Sequence, residues 1–303
     1  MVSALPACGR SGAGGSEEQK VFLDYTQEEL DRAYDQSEWA SNAEEMVELY
    51  ATESEAVRAE LEYETVSYGP TADETLDIFP TARQNAPIHV FIHGGAWRAL
   101  TKEDSSFPAP VFVDAGAHFV ALNFSVIPDV RLPEMAEQVR RAIAWLHENA
   151  RSFDGDPDQI YVSGHSSGGH LAGVLLTTDW EEYGMPDTAI KGGLCASGLF
   201  DLRPVLLSSR GSYVKIDEAE EDALSPIRHI ERIRCPVIVG YGEEESPEFR
   251  RQSRDFASAL EENGHLFESF DLPRTNHFEV IMTMAGKDGE LARAALDQMR
   301  LVV

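Results

Sequence analysis

Positive charge is scarce in this chain of 303 residues. Lysine and arginine together number 25, against 53 aspartates and glutamates, and the formal net charge is −28 at pH 7. Nucleic acids and anionic membrane surfaces carry the same sign, so neither is expected as a partner. A strongly anionic substrate would need a local arginine to offset this field. A charge of this size is also typical of a highly soluble surface.

Cysteine is rarer still. The three cysteines, Cys8, Cys195 and Cys235, are an odd number without metal-ligand spacing. Neither a disulfide framework nor a metal site is therefore expected, and no cofactor is predicted. Cys195 and Cys235 lie in apolar runs, which is typical of buried, reduced thiols in a cytoplasmic enzyme.

Long apolar runs are missing as well. No stretch of eighteen apolar residues occurs, so no membrane-spanning helix is predicted. The start of the chain is small, polar and glycine-rich, and has neither the basic start nor the apolar segment of a signal peptide. We expect residues 1–20 to form a disordered tail and the protein to be cytoplasmic.

The rest of the chain alternates strand-like and helix-like patterns. The predicted strands lie at residues 64–68, 75–79, 88–92, 118–124, 160–163, 194–199, 236–241 and 266–272. This alternation predicts an α/β fold, with a mostly parallel sheet and helices on both faces. We expect one domain over residues 21–303, with N-terminal helices in 21–61 and a helical insertion at the rim of the site in 201–234. The longest amphipathic helix is predicted over residues 132–153.

The motif Gly164-His165-Ser166-Ser167-Gly168 follows a β-branched and aromatic strand and precedes an apolar helix. A nucleophilic serine requires this order, because its hydroxyl must stand on a tight strand-to-helix turn. Glycines two positions to either side let strand and helix approach closely. Ser166 is the predicted nucleophile, and the alternative is a glycine-rich turn that only packs.

An oxyanion hole is predicted at His93-Gly94-Gly95-Ala96-Trp97, directly after the apolar strand 88–92. The glycines allow the N–H groups of Gly94 and Gly95 to turn toward a substrate oxygen, and the N–H of Ser167 completes the set. The alternative is a turn needed only for chain reversal. Trp97 is expected to wall the pocket, unless it is a buried tryptophan without a role there.

His277 is the predicted general base. It stands between the last strand and a helix, where a chain order of serine, acid and histidine places the base. The acid should follow strand 236–241, and the loop there contains Glu243, Glu244 and Glu245 but no aspartate. Spacing alone does not choose among the three glutamates.

Several motifs together resemble the kynurenine formamidase (arylformamidase) branch of the α/β-hydrolases, close to the hormone-sensitive-lipase-like carboxylesterases. They are Tyr68-Gly69-Pro70 with Leu76-Asp77-Ile78, His93-Gly94-Gly95-Ala96-Trp97, Gly164 to Leu171, Ser197 to Leu202, Ser246 to Ser253, and His277-Phe278-Glu279. In that family an aspartate precedes the Ser-Pro-Glu-Phe motif, and this position is occupied here by Glu245. The resemblance implies an α/β-hydrolase fold and a catalytic set of Ser166, His277 and Glu245.

The expected activity is hydrolysis of a small acyl ester or aryl (form)amide through an acyl-enzyme, with broad substrate tolerance. His165, Phe200 and Phe278 join Trp97 as expected substrate-binding residues. Arg98 is the only cation near the oxyanion motif in sequence, which leaves neutral esters and aryl amides as alternative substrates. A carboxylesterase or aryl acylamidase, a metal-dependent hydrolase and a non-catalytic binding protein are the other hypotheses. The oligomeric state stays open, a homodimer included.

Overall fold

The computed structural model describes residue 1 and residues 19–301, and an eight-stranded sheet organises the fold. The strands in chain order are β1 (Glu64–Ser67), β2 (Thr75–Phe79), β3 (Ala86–Ile92), β4 (His118–Leu122), β5 (Gly155–His165), β6 (Ile190–Ala196), β7 (Val237–Gly242) and β8 (Leu266–Leu272). Their order across the sheet is β1-β2-β4-β3-β5-β6-β7-β8. Cys8 and almost all of the predicted tail lie outside the described residues.

The sheet is mostly parallel. β2 runs antiparallel to both β1 and β4, and the other neighbouring pairs are parallel. The central strand β3 is buried along its whole length, as its continuous apolar run predicts, whereas β8 is largely exposed at the sheet edge. The predicted α/β class is therefore confirmed.

Nine α-helices lie within the described residues. They are α1 (Gln27–Tyr34), α2 (Ala43–Glu60), α3 (Ala109–Asp114), α4 (Leu132–Asn149), α5 (Ser167–Leu176), α6 (Leu202–Leu207), α7 (Glu218–Ala223), α8 (Pro247–Glu262) and α9 (Glu290–Gln298). Thr26 and Glu29 form a capping box at the N-terminus of α1. The prediction for α4 was too long, because a 3₁₀ turn at Ala150–Phe153 replaces its last turn.

Two apolar layers cover the sheet. Alternate strand residues point to opposite faces, so that Val90 belongs to one layer and Phe91 to the other. The first layer includes side chains of α1, α4, α5 and α8, and the second those of α2, α3 and α9. This sandwich holds the carboxyl ends of β3, β5 and β7 in a fixed relation at one edge of the sheet.

The N-terminal segment and the segment 201–234 pack together near that edge. Tyr34, at the end of α1, donates a hydrogen bond from its hydroxyl to Glu248 Oε1 of α8 at 2.9 Å. The guanidinium of Arg210 donates two hydrogen bonds to the carbonyl oxygen of Tyr34. The segment 201–234 contains α6, α7 and short 3₁₀ turns but no strand, in agreement with its sequence pattern.

Candidate active site

Ser166 stands on a strained turn between β5 and α5. Its backbone φ is 57°, in the left-handed region that side chains with a Cβ rarely adopt. A Cβ on Gly168 would lie 2.1 Å from the carbonyl oxygen of Ile92, so only glycine allows α5 to approach β3 this closely. The turn holds the Ser166 hydroxyl at the carboxyl edge of the sheet.

The Ser166 hydroxyl contacts the imidazole of His277. Oγ lies 2.9 Å from His277 Nε2, and His277 Nδ1 lies 3.2 Å from Glu245 Oε2. With a carboxylate at Nδ1, the imidazole proton belongs on Nδ1, and Nε2 accepts from the serine. All three side chains are buried, which strengthens the polar interactions between them.

The structure distinguishes Glu245 from the two other glutamates of its loop. Glu245 Oε1 accepts hydrogen bonds from the Ser197 hydroxyl at 2.5 Å and from the Gly242 N–H at 2.7 Å, while Oε2 faces His277. Glu243 and Glu244 are exposed. Two donors on one oxygen fix the orientation of the carboxylate, as expected for a group that must orient an imidazole.

The loop after β3 lies against the serine. A Cβ on Gly94 would be 3.3 Å from Ser166 Cβ. Gly95 has φ +99°, a backbone conformation that side chains with a Cβ rarely adopt and that turns the chain after β3. The N–H of Trp97 donates to Ser167 Oγ at 3.1 Å and ties the loop to the helix.

Three backbone donors at this point are unused. Among the described residues, the N–H groups of Gly94, Gly95 and Ser167 have no hydrogen-bond acceptor. The N–H of Ser166 is not available, because it donates to the carbonyl of Ala196 at 2.9 Å. The structure thus brings the three predicted donors close to the serine. Ser167 is also the first residue of α5, and the N-terminus of a helix favours negative charge.

The other histidines near the site are buried supports. His165 Nε2 donates to the carbonyl of His277 at 2.8 Å, and burial together with the neighbouring His277 lowers the pKa of His165 well below its usual range. His170 accepts from the Trp97 indole through Nδ1 and donates to Leu224 O through Nε2. Burial lowers the pKa of His93 and of His170 to about 4, so both are neutral near pH 7.

A cavity of about 300 Å³ opens onto the serine. Its lining comprises Asp35, Gln36, Ser37, Val47, Tyr50, Gly95, Ala96, Ala99, Leu100, His165, Ser166, Arg210, His277 and Phe278. The volume is at the small end for ligand pockets, and the wall is largely apolar. The arrangement suits a small acyl compound with a flat or short apolar group.

Two predicted substrate-binding residues are not in this wall. Trp97 is buried, with its indole bonded to His170, and Phe200 stacks on Phe256 with ring centroids 3.9 Å apart. The prediction for both is therefore wrong: each side chain fills the core beneath the site because packing there satisfies its large apolar surface. His165 and Phe278 do line the cavity, and their role in substrate binding stays a prediction.

Several residues of the wall were missed by the sequence reasoning. Asp35, Gln36 and Tyr50 come from the N-terminal segment, and Arg210 from the segment 201–234. The only signal for them was the general expectation that these two segments lie near the rim. Arg98, the cation noted from sequence, does not line the cavity, because its guanidinium lies over the ring of Tyr213 at 4.6 Å.

Neither a metal centre nor a membrane-spanning helix emerges from the described part of the chain. Residues 19–301 contain no group of three or more His, Cys, Asp or Glu side chains arranged to hold a metal ion. None of the helices in this range combines the length and apolar character that crossing a bilayer requires.

Known proteins are similar to this chain in sequence and in fold. A family model described as BD-FAE matches residues 76–189. Kynurenine formamidase from Salmo salar is 31% identical over 293 residues, which cover 92% of this chain and 98% of that protein. The Danio rerio kynurenine formamidase is 30% identical, over 89% of this chain and 96% of its own length. Esterase LipQ from Mycobacterium tuberculosis is 30% identical, over 73% of this chain and 58% of its own length.

Solved structures show the same fold. A crystal structure from Silicibacter sp. TM1040, of a protein provisionally described as a thioesterase, has a TM-score of 0.77 and 28% identity, over 88% of this chain and 98% of that chain. Esterase B from Lactobacillus rhamnosis shares the fold at 17% identity and a TM-score of 0.68, over 88% and 94% of the two chains. Fold and site together define a hydrolase of the α/β-hydrolase class. The chain belongs to the kynurenine formamidase family, as its motifs predicted.

Proposed function

We propose that this enzyme hydrolyses small acyl esters and aryl formamides, with Ser166 as nucleophile, His277 as general base and Glu245 as the acid that orients it. The observation that carries the proposal is the chain of contacts from Ser166 Oγ through His277 to Glu245, at 2.9 and 3.2 Å. Two of these three residues, Ser166 and His277, line the cavity, so a substrate bound there would meet the serine hydroxyl.

The proposed reaction has two halves. Ser166 Oγ attacks the carbonyl carbon as its proton passes to His277 Nε2, and the N–H groups of Gly94, Gly95 and Ser167 bind the resulting oxyanion. His277 then gives that proton to the departing alcohol or amine, which leaves an acyl-enzyme on Ser166. Water, deprotonated by His277 Nε2, attacks the acyl carbon, and His277 then returns that proton to Ser166 Oγ as the bond from Oγ to the acyl carbon breaks and the acid is released. Throughout, Glu245 stabilises the imidazolium.

The wall of the cavity supports a small and mainly apolar substrate. Val47, Tyr50, Leu100 and Phe278 provide apolar surface beside the serine. An aryl ring on the leaving group would be covered by these side chains, whereas a long acyl chain would exceed a volume of about 300 Å³. We therefore favour formyl and other short acyl groups on an aromatic leaving group.

Replacement of the serine tests the proposal. Ser166→Ala should lower kcat on a short-chain nitrophenyl ester by at least about 10⁴-fold and abolish covalent labelling by a fluorophosphonate probe, with an unchanged circular dichroism spectrum. Ser37→Ala is the matched control, since Ser37 lines the same cavity but bonds to Asp35 rather than to a histidine. Full labelling of Ser166→Ala, or loss of labelling in Ser37→Ala, would contradict the assignment.

A carboxylesterase or aryl acylamidase acting on neutral substrates is the second candidate, and the similarity to esterase LipQ favours it. Rates on formanilide, acetanilide and nitrophenyl acetate separate the possibilities. A formamidase should hydrolyse formanilide much faster than acetanilide, while an esterase of this class should prefer the nitrophenyl ester and act poorly on both anilides.

We further infer a cytoplasmic location. Cys195 and Cys235 are buried free thiols, and burial raises the pKa of both, which is typical of unreactive cysteines in a reducing compartment.

A further inference from the structure

The proposed acid and base lie in two loops that the N-terminal segment contacts. Glu245 lies in the loop between β7 and α8, and His277 lies in the loop after β8. Loops lack the repeating hydrogen bonds of helices and strands, so other contacts must hold them in place. Their position matters, because a displacement of about 1 Å can lower the rate by about 10²-fold. Two side chains of the N-terminal segment supply such contacts, one on each loop.

Gln36 fixes the residue that directly follows Glu245. Gln36 is buried, and its Nε2 donates to Ser246 Oγ at 2.8 Å and to the carbonyl of Ala33 at 3.1 Å. Its Oε1 accepts from the N–H of Ser246 at 3.3 Å, and the Ser246 hydroxyl itself donates to the carbonyl of Ala33 at 2.6 Å. A reversed amide would set its oxygen against that carbonyl, so Gln36 has one orientation. The loop of Glu245 is thereby bound to the last turn of α1.

Asn42 makes the matching contact with the loop of His277. It occupies the N-cap position of α2, where asparagine is among the most favourable residues. In the described structure, however, its side chain makes no capping bond to the first turn of that helix. Its Oδ1 accepts from Asn276 Nδ2 at 2.8 Å, and its Nδ2 donates to Glu279 Oε1 at 2.9 Å. Both hydrogen bonds of this amide therefore stabilise the loop after β8 instead of α2.

The turn that Asn42 contacts is closed around His277. Asn276 Oδ1 accepts from the N–H groups of Phe278 and Glu279, at 2.9 and 3.2 Å, and Glu279 Oε2 accepts from the N–H of Asn276 at 3.0 Å. These bonds join the residues on either side of His277, so the imidazole can shift only if the whole turn shifts. A contact with Asn276 and Glu279 consequently sets the position of His277.

We propose that Gln36 and Asn42 are positioning residues that hold Glu245 and His277 in line. On this proposal, which rests on the hydrolase function above, the N-terminal segment completes the active site without touching the reacting atoms. Gln36 also lines the cavity, but Ser246 and Ala33 already occupy all the polar groups of its amide. Its loss should therefore lower kcat rather than raise KM.

A double-mutant cycle tests the role of Gln36. Gln36→Met keeps the length of the side chain and removes its hydrogen bonds, and should lower kcat on nitrophenyl acetate by about 10- to 100-fold with KM within about threefold. In a Glu245→Gln background the same change should lower kcat by less than about threefold, because Gln36 acts through Glu245. An equal loss in both backgrounds would overturn the proposal. Gln27→Met is the control, since the amide of Gln27 bonds to Asp31 and Leu207 and to neither loop.

Asn42→Ser provides an independent test if Gln36→Met does not fold. Serine is an equally good N-cap residue for α2 but is too short to bridge Asn276 and Glu279. We expect kcat to fall about tenfold or more while the urea midpoint stays within error of that of the unaltered enzyme. Asn263→Ser, at the exposed end of α8, should change neither value. A normal kcat in Asn42→Ser would overturn the role of Asn42.

Fluorophosphonate labelling of Ser166 distinguishes this proposal from the hydrolase function on which it rests. The unaltered enzyme should be labelled rapidly, and labelling of Gln36→Met and Asn42→Ser should slow by about the same factor as kcat, because the probe also requires an activated serine. Equal labelling rates in all three proteins would refute the positioning role alone. If the unaltered enzyme itself is not labelled, the hydrolase function is refuted.

Discussion

Glu245 differs from its acidic neighbours in the groups that surround its carboxylate. A glutamate reaches one methylene further than an aspartate, and the donors at Ser197 and Gly242 hold this longer side chain in place. Both donors engage Oε1, so Oε2 is left for the His277 imidazole. The contact of 3.2 Å is long for a charge-assisted hydrogen bond, and a shorter distance is expected when the imidazolium forms.

Substitution of this glutamate separates its charge from its shape. Glu245→Gln keeps the size of the side chain but lets its amide donate to Nδ1, which favours the wrong imidazole tautomer. We expect kcat on a nitrophenyl ester to fall by about 10³- to 10⁴-fold with the fold intact. The exposed neighbours provide the controls, because Glu243→Gln and Glu244→Gln should stay within about twofold of the unaltered enzyme. If the Glu245 variant keeps more than a tenth of its rate, another group orients His277.

Residue-level prediction from sequence worked where a motif fixes local geometry. Ser166 and His277, which the structure brings into contact, were singled out because a strand, a tight turn and a helix must follow one another around such side chains, and their catalytic roles stay predictions. Glu245 was chosen only through the family resemblance, since three adjacent glutamates have equal spacing. Arg210 was missed because its place in the cavity depends on packing between α1 and the segment 201–234, and contacts of this range leave no local pattern.

At the scale of elements, the loop after β3 depends on a run of residues with positive φ. Gly95 has φ +99°, and its neighbours Ala96 and Trp97 also have positive φ values, of 53° and 60°. A run of left-handed residues stores strain that the surrounding structure must hold in place. The bond from the Trp97 N–H to Ser167 Oγ and the packing of Gly94 on Ser166 supply that support.

Gly95→Ala should therefore damage turnover more than stability. A Cβ at this position would lie 2.0 Å from the carbonyl of Ala99, so the loop must move and take its N–H groups out of line with the oxyanion. Loss of such donors typically lowers kcat by about 10²- to 10³-fold. Gly286→Ala is the control, because a Cβ there meets no atom within 4 Å. Steady-state kinetics and urea unfolding of both variants test this expectation, and a Gly95 variant with normal kcat would refute it.

Elements themselves were predictable where periodicity was strong. The sequence pattern identified all eight strands, but it started β5 at residue 160, whereas β5 begins at Gly155. Aspartate, glycine and proline residues occupy positions 154–158, and the pairing of Gly155 with Ala86 of β3 comes from the sheet rather than from propensity. Similarly, α1 and α2 were predicted as helices, yet their contribution to the cavity wall depends on tertiary packing.

At the scale of the whole molecule, neutral histidines are part of the core. His89 packs against Phe112 with ring centroids 3.9 Å apart, and His93 stacks on Phe124 at 4.3 Å. Burial lowers the pKa of His89 to about 3 and that of His93 and His170 to about 4. Each must be uncharged in the folded enzyme near pH 7, whereas in the unfolded chain it binds a proton below about pH 6.5.

The fold should therefore lose stability in acid. Between pH 6.5 and the lower pKa of the folded state, each of these histidines binds a proton in the unfolded chain but not in the folded one. Its contribution to the free energy of unfolding is therefore fully present above pH 6.5. Below that pH the free energy of unfolding falls by about 1.4 kcal/mol per pH unit for each histidine, as pH drops toward 4. Between pH 6.5 and 5, protonation at each of the three histidines lowers the free energy of unfolding by about 2 kcal/mol. This is a large share of the 5–15 kcal/mol by which a typical domain is stable. Urea unfolding at pH 8, 7, 6 and 5 measures this slope. His89→Phe should flatten it by about 1.4 kcal/mol per unit, while His147→Gln, on the partly exposed face of α4, should not. Equal stability at pH 5 and 7, or an unchanged slope in His89→Phe, would show that these histidines do not control acid unfolding.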